Sequence, residues 1–318
     1  MKYDPKHLSG NGLPTDRATI NAWCRSFALL EPIVHDTIEF YSSYPCKFLQ
    51  VKYPRQKSIK TFFEFQFDKI SFMEYIPEIV KQYWTLGECF VYSELDEHLK
   101  MWRRLIVQNP DYIIVKRSIV ADDDNSLEIS LRPDEKLRTL VLKDNPSDEE
   151  KKELSRLNEK VVESVKNGEN IPLNNFYTSA FIRRQSPYDV RGTSPLVPVL
   201  KKLAILGKVR SIGKEWNHTL SDQNQLEQEI KEALGHPDVL MKNDGAIRKD
   251  VAKTRMMQTM AMMSQWAERK MLAPIAKIND FYEYKNSKKE LVIPKIIFDS
   301  KKFSAAFDRD CSQNSAST

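Results

Sequence analysis

Phe181-Ile182-Arg183-Arg184-Gln185-Ser186-Pro187-Tyr188-Asp189-Val190-Arg191-Gly192-Thr193-Ser194-Pro195-Leu196 joins an extended run to a helical one. Gly192 allows a sharp turn, because a residue without a Cβ fits where others cannot. Ser194 is a residue type that caps helix N-termini. Pro195 would then occupy the first helical position, where its missing N–H costs nothing. Beyond the turn, Leu196, Leu200, Leu203, Leu206 and Ile212 recur at helical spacing and predict a long helix over 195–219. Before it, residues 171–184 read as extended chain.

The remaining pattern is mixed. Residues 17–44 repeat apolar side chains every three or four positions, with Pro32 expected to divide them into two pieces. A second aromatic-rich helical region covers 59–86, ends at Gly87 and contains Pro77 as its expected break. Strand signals follow at Cys89-Phe90-Val91-Tyr92, at 104–120 around the Asn109-Pro110-Asp111 turn, at Leu127 to Leu131 and at Leu137 to Leu142. Ser147 and Glu150 form a capping box for a helix whose stripe is Leu154, Leu157, Val161 and Val165, closed by Gly168. Ser221 is the expected cap of a helix over 223–234, stopped by Gly235 and Pro237. Asp250 is the expected cap of another that reaches Leu272. A last strand lies between Pro294 and Asp299.

Composition fits a folded protein, with 41% hydrophobic and 29% charged residues. Its 49 basic and 44 acidic residues leave a net charge of only +5, which neither demands nor excludes nucleic acid. The four cysteines, Cys24, Cys46, Cys89 and Cys311, fit no zinc spacing and read as buried free thiols. The N-terminal residues lack the apolar core of a signal peptide, and no run approaches the roughly 18 apolar residues that span a bilayer. No membrane association is expected.

The usual catalytic patterns fail on specific grounds. There is no GxxxxGK[ST] loop for nucleotide phosphates. Gly192-Thr193-Ser194-Pro195-Leu196 lacks the closing glycine of a nucleophile elbow, and Pro195 has no N–H for an oxyanion hole. Ser211-Ile212-Gly213-Lys214 has no KTG partner. Asp122-Asp123-Asp124-Asn125 lacks the glycine and glutamate of a calcium loop. The five histidines, His7, His35, His98, His218 and His236, are scattered. No enzyme, metal or cofactor is expected. Two helical features stay open. Met256, Met257, Met260, Met262, Met263 and Met271 suit either a core or a subunit contact. Lys201, Lys202, Lys208, Arg210 and Lys214 suit either a solvated face or one turned toward DNA.

The segment 181–196 resembles the strand–turn–helix signature of tailed-bacteriophage portal proteins. Other pieces resemble the same family in the same order: the helix over 17–44 with Trp23, Arg25, Phe27 and Glu31-Pro32; Leu86-Gly87-Glu88-Cys89-Phe90 leading into the wing strands; the Asn109-Pro110-Asp111 turn; Ala273 to Phe281 as the late wing helix; and Ile293 to Asp299 as the final strand. The resemblance covers roughly residues 17–300. It implies an α+β protein with a portal-like wing of mixed strands and helices and long stem-type helices. The expected divisions are a loose segment 1–16, a wing-like domain 17–194, stem-type helices and a tunnel loop over 195–250, a late helix and closing strand over 251–303, and a Ser-rich disordered tail 304–318. Too few residues separate the helices at 195–219 and 223–234 for a clip domain of usual size, so the clip is shortened or missing.

What the resemblance implies is a homo-oligomeric ring, dodecameric in the family, at one vertex of a virion capsid. Double-stranded DNA passes through its channel without sequence recognition. The large terminase subunit, major capsid protein, scaffold and neck or adaptor proteins are its implied partners, and assembly takes place in the host cytoplasm. Candidate DNA contacts are Lys242, Arg248 and Lys249 in the loop over 235–250, with Lys201, Lys208 and Arg210 on the long helix. Candidate oligomer contacts are Leu203, Met256, Met260 and Met263; Gly192, Ser194 and Pro195 form the structural turn. Rival readings are a neck adaptor or baseplate component, and a DNA-processing enzyme with an unrecognised site.

Overall fold

In a computed structural model the chain is an α+β protein with small antiparallel sheets. The structure describes residues 14, 16–117, 127–143, 145–155, 157, 159–183, 188–212, 219–240, 246–285 and 288–313. Helix α1 (Arg17–Leu30) starts at Asp16, whose carboxylate accepts the Thr19 N–H at 2.8 Å. Pro32 opens α2 (Pro32–Ser43) from its first position, so the proline divides the apolar run as its chemistry requires. After β1 (Leu49–Lys52) come α3 (Lys57–Lys69) and α4 (Phe72–Leu86). The break between them lies at Ile70-Ser71, where Ser71 adopts φ 46°, and not at Pro77. Pro77 gives up one hydrogen bond inside α4, and the helix runs on because Ile76, Ile79, Val80 and Trp84 are buried along one side.

Gly87 ends α4 at φ 77° and hands the chain to β2 (Glu88–Asp96). β2 is the centre of a three-stranded sheet between β3 (Met101–Gln108) and the later β7 (Thr178–Ile182). A 3-10 turn over Pro110–Tyr112, capped by Asn109, leads into β4 (Ile113–Arg117), which pairs with β5 (Leu127–Leu131). The expected strand at 137–142 is instead α5 (Glu135–Leu142), started by the Asp134 carboxylate on the Leu137 N–H. The capping box of Ser147 and Glu150 is present and opens α6 (Asp148–Leu154). The same apolar stripe carries into α7 (Glu159–Lys166), and Gly168 follows at φ 70°. β6 (Ile171–Pro172) then adds to β5.

The second half is mostly helical. A 3-10 turn over Val197–Val199 precedes α8 (Leu200–Ile212). Next are α9 (Thr219–Leu234), α10 (Pro237–Leu240) and α11 (Ala246–Trp266). α9 begins before Ser221 and α11 before Asp250, so neither residue is the cap expected of it. A π-helical turn over Ala267–Leu272 connects α11 to α12 (Ala273–Ile278). Pro274 cannot donate to the Lys270 carbonyl, which accounts for the widened turn just ahead of it. β8 (Tyr282–Lys285) pairs with β9 (Lys288–Leu291), and β10 (Lys295–Phe298) returns to β1.

The expected disordered tail is largely a helix, α13 (Ser300–Gln313), and only 314–318 lie outside the described residues. Phe303, Phe307 and Cys311 recur every four positions and are buried. Phe303 packs 5.5 Å from Phe48 and 5.7 Å from Phe307, ring centre to ring centre. That apolar stripe outweighs the Ser-rich composition of the segment.

One hydrophobic core runs from Trp23 of α1 to Cys311 of α13. Leu196, Leu200, Leu203 and Leu206 belong to it, and α8 packs on α9 and α1. The expected divisions at 194/195 and 250/251 therefore do not divide the core. A smaller cluster of Phe90, Ile113, Val115 and Ile129 fills the space between the β2–β7 and β4–β5 pairs. Cys24, Cys89 and Cys311 are buried free thiols, and Cys46 is a half-buried one.

Candidate functional site

The turn at Gly192 is built around a buried carboxylate. Glu88 opens β2 and its side chain is fully excluded from solvent. It accepts the Arg191 Nε–H at 2.9 Å, a second and shorter bond from Arg191 Nη2, the Gly192 N–H at 3.0 Å and the Arg17 guanidinium at 3.3 Å. A buried charge is tolerated only with this degree of pairing. Arg191 also donates to the carbonyls of Ile113 at 2.6 Å and Pro110 at 2.9 Å, and its guanidinium lies 5.6 Å from the centre of the Phe90 ring. Arg17 reaches the Gly192 carbonyl at 2.8 Å.

A second set of bonds continues the junction. Asp111 receives Asn21 and Arg25, each at 2.6 Å, and Arg25 also reaches Asn109 at 2.7 Å. α1, the end of α4, the turn at 109–111 and the segment 188–194 are thus fastened at one place. Two glycines allow the backbones to cross there. A Cβ on Gly192 would lie 1.9 Å from the Gly87 carbonyl oxygen, and one on Gly87 would lie 2.2 Å from the Thr193 carbonyl carbon. Gly192 therefore serves close approach, whereas Gly87 supplies the left-handed turn.

The turn differs in detail from its expected form. Ser194 donates to the Thr85 carbonyl at 2.6 Å and accepts the Leu196 N–H at 3.1 Å, so it closes a short turn and ties it to α4. α8 begins only at Leu200, which leaves Pro195 outside the helix it was expected to start. Arg184, Gln185, Ser186 and Pro187 lie outside the described residues, as do Asp122 to Asn125, Gly213 and Lys214.

The candidate oligomer contacts belong to the core of the single chain. Leu203 is 1% exposed, and Met256, Met260 and Met263 are fully buried within one chain. Within the chain, α8 packs on α9 and α1, and α11 packs on β10, α13 and the turn at 45–48. Among the described side chains, the exposed large apolar ones on the same two helices are Ile205 and Val251.

The candidate DNA contacts separate into groups. Lys242 lies outside the described residues. Arg248 and Lys249 sit on α11 rather than in a loop, and Arg248 pairs with Glu232 at 3.0 Å. Arg210 is held by both oxygens of Glu31 and by Glu227. Partial burial opposes its charge, but the bonds to Glu227 and Glu31 outweigh that and raise its pKa. With two carboxylates around it, Arg210 offers little net charge to a phosphate. Lys201 is exposed and Lys208 half-buried; they lie two turns apart on α8 with Ile205 about one turn from each.

Among the described residues there is no group of three or more His, Cys, Asp or Glu side chains placed to hold a metal ion, and no helix long and apolar enough to cross a membrane. No protein-family model matches the chain, and no curated protein is found to match it. The chemistry of the junction is that of a fastener. Its one fully buried carboxylate is saturated with donors and has none of the freedom a proton-transfer group needs. The sequence shows Glu88 within the Leu86 to Phe90 motif, where it interrupts an otherwise uncharged run from Leu86 to Val91. A lone acid within such a run signals a buried ion pair whose partners come from elsewhere in the chain.

Proposed function

We propose that the chain is a non-enzymatic ring subunit of the portal type, whose copies surround a channel for DNA at one vertex of a viral capsid. One observation carries this reading. Four pieces of the resemblance, separated by up to 175 positions, meet at a single junction: Arg17 and Arg25 of the opening helix, Gly87-Glu88, Asn109-Pro110-Asp111 and Arg191-Gly192. A rigid junction between strands and helices also suits a subunit that must hold its shape while DNA slides past.

A rotational ring needs two different patches that complement each other on neighbouring copies. Ile205 and Val251, 41% and 44% exposed, are the apolar surface positions that this reading assigns to them. In sedimentation experiments the unaltered chain is expected to run as a large oligomer. Ile205→Asp and Val251→Asp should each weaken assembly by about 2 kcal/mol or more while leaving the melting temperature of the chain nearly unchanged. Unaltered assembly in both variants would move the interface elsewhere, and a chain that stays monomeric at every concentration would refute the ring.

A further inference from the structure

Two arginines that the junction does not use converge on an adjoining cleft. Arg183 and Arg255 both line a cavity of about 160 Å³ and a neighbouring one of about 340 Å³, with Trp84 shared between the two. The smaller is bounded by α2, α4, the 194–198 turn and the end of α9, and the larger by α4 and α11. Among the described residues that line the two cavities there is no aspartate or glutamate. Arg183 is half-buried, and the one hydrogen bond of its side chain among the described residues goes to a neutral group, the Thr193 carbonyl, at 3.1 Å. Arg255 is exposed, and no carboxylate lies within ion-pair distance of it among the described residues. Burial pulls the Arg183 guanidinium below its ordinary pKa; Tyr83 opposes that shift and Arg255 adds to it. Two cations that repel one another in a partly desolvated cleft carry an electrostatic cost that an anion would relieve.

A further observation concerns the shared wall. Trp84 is 5% exposed, and its indole N–H has no hydrogen-bond partner among the described residues. Buried donors of this kind are nearly always satisfied, so this one, beside two guanidiniums with no carboxylate partner among the described residues, can serve an anionic acceptor. We infer that this cleft binds a phosphate-type oxyanion between Arg183 and Arg255, with Trp84 at its back. A tetrahedral anion can take donors from three directions, which suits two guanidinium forks and an indole better than a planar carboxylate does. The ligand is either a phosphodiester of a DNA backbone or a free phosphate. The cleft stands whether or not the chain forms a ring.

The test is thermal unfolding of the full chain in inorganic phosphate against chloride at matched ionic strength, using the unaltered protein, Arg255→Gln and Arg255→Lys. Phosphate stabilises proteins in general by exclusion from their surface, and that part does not saturate. The inference expects an additional saturable rise in melting temperature for the unaltered chain, with half-saturation at about tenfold or more higher phosphate in Arg255→Gln and partial recovery in Arg255→Lys. Arg255 is exposed, so the variants should fold, as circular dichroism would verify. A short DNA duplex tested in the same way distinguishes the sources: an Arg255-dependent rise with duplex identifies the backbone phosphodiester, and a rise with inorganic phosphate alone identifies the free anion. Identical rises in unaltered protein and Arg255→Gln, or no saturable rise with either ligand, would overturn the inference.

Discussion

Glu88→Ala is expected to lower the unfolding free energy by about 3–5 kcal/mol, measured as a reduced urea midpoint at unchanged slope. The reason is the company the carboxylate keeps. Arg191 is largely buried, with 18% of its side chain exposed, and its guanidinium is neutralised there by Glu88. Removing the acid leaves that charge in place with only carbonyls for partners, and also strands the Gly192 N–H. Glu88→Gln keeps the shape and an acceptor, so it should lose less. Arg25→Ala gives the scale at the rim. Its ion pair with Asp111 is 36% and 19% exposed on its two sides, and about 1 kcal/mol or less is expected from it. A Glu88→Ala variant within about 1 kcal/mol of the unaltered chain would mean that the junction is not what holds these elements together.

Gly87→Ala is expected to cost about 3–5 kcal/mol, and Gly168→Ala only about 1–2 kcal/mol, although both glycines have nearly the same positive φ. The shared part is the penalty of placing a Cβ in a left-handed conformation. The difference is crowding. Around Gly168 nothing lies within 4 Å of the added atom, whereas at Gly87 it would enter the backbone of Thr193 and Ser194. Those atoms belong to the crossing chain and cannot swing aside like the end of a side chain. Gly192→Ala should resemble Gly87→Ala without a left-handed penalty, because its added Cβ meets the Gly87 carbonyl. Chemical denaturation of the three variants side by side checks this order. Equal losses at Gly87 and Gly168 would show that the crossing can relax.

Much of the local structure was legible because it depends on neighbours in sequence. The Ser147 box, the turn at Asn109, the Pro32 division and the stop at Gly235 each follow from a cap, a ring or a missing Cβ acting within a few residues. Errors arose where two local signals competed. Leu137 to Leu142 carries β-branched residues suited to a strand, but Asp134 starts a helix and prevails. Serines around 304–318 disguised the four-residue repeat of Phe303, Phe307 and Cys311. Least legible were the burial of Leu203 and the methionines, and the meeting of Arg183 with Arg255. Helical spacing shows that a face is apolar, but which body covers it depends on how distant elements pack. The paired arginines lie 72 positions apart on different elements, so no spacing rule could have joined them.

The junction fastens α1, the end of α4, the turn at 109–111 and the segment 188–194 at one place, and the proposed ring would put that fixed unit to use. The most direct measurement is electron microscopy of the purified, unaltered chain in negative stain, with averages of particles seen end-on. A portal-type subunit should give closed annuli with an open centre wide enough for a DNA duplex. Solid particles of single-chain size, or assemblies without an axial opening, would contradict that account.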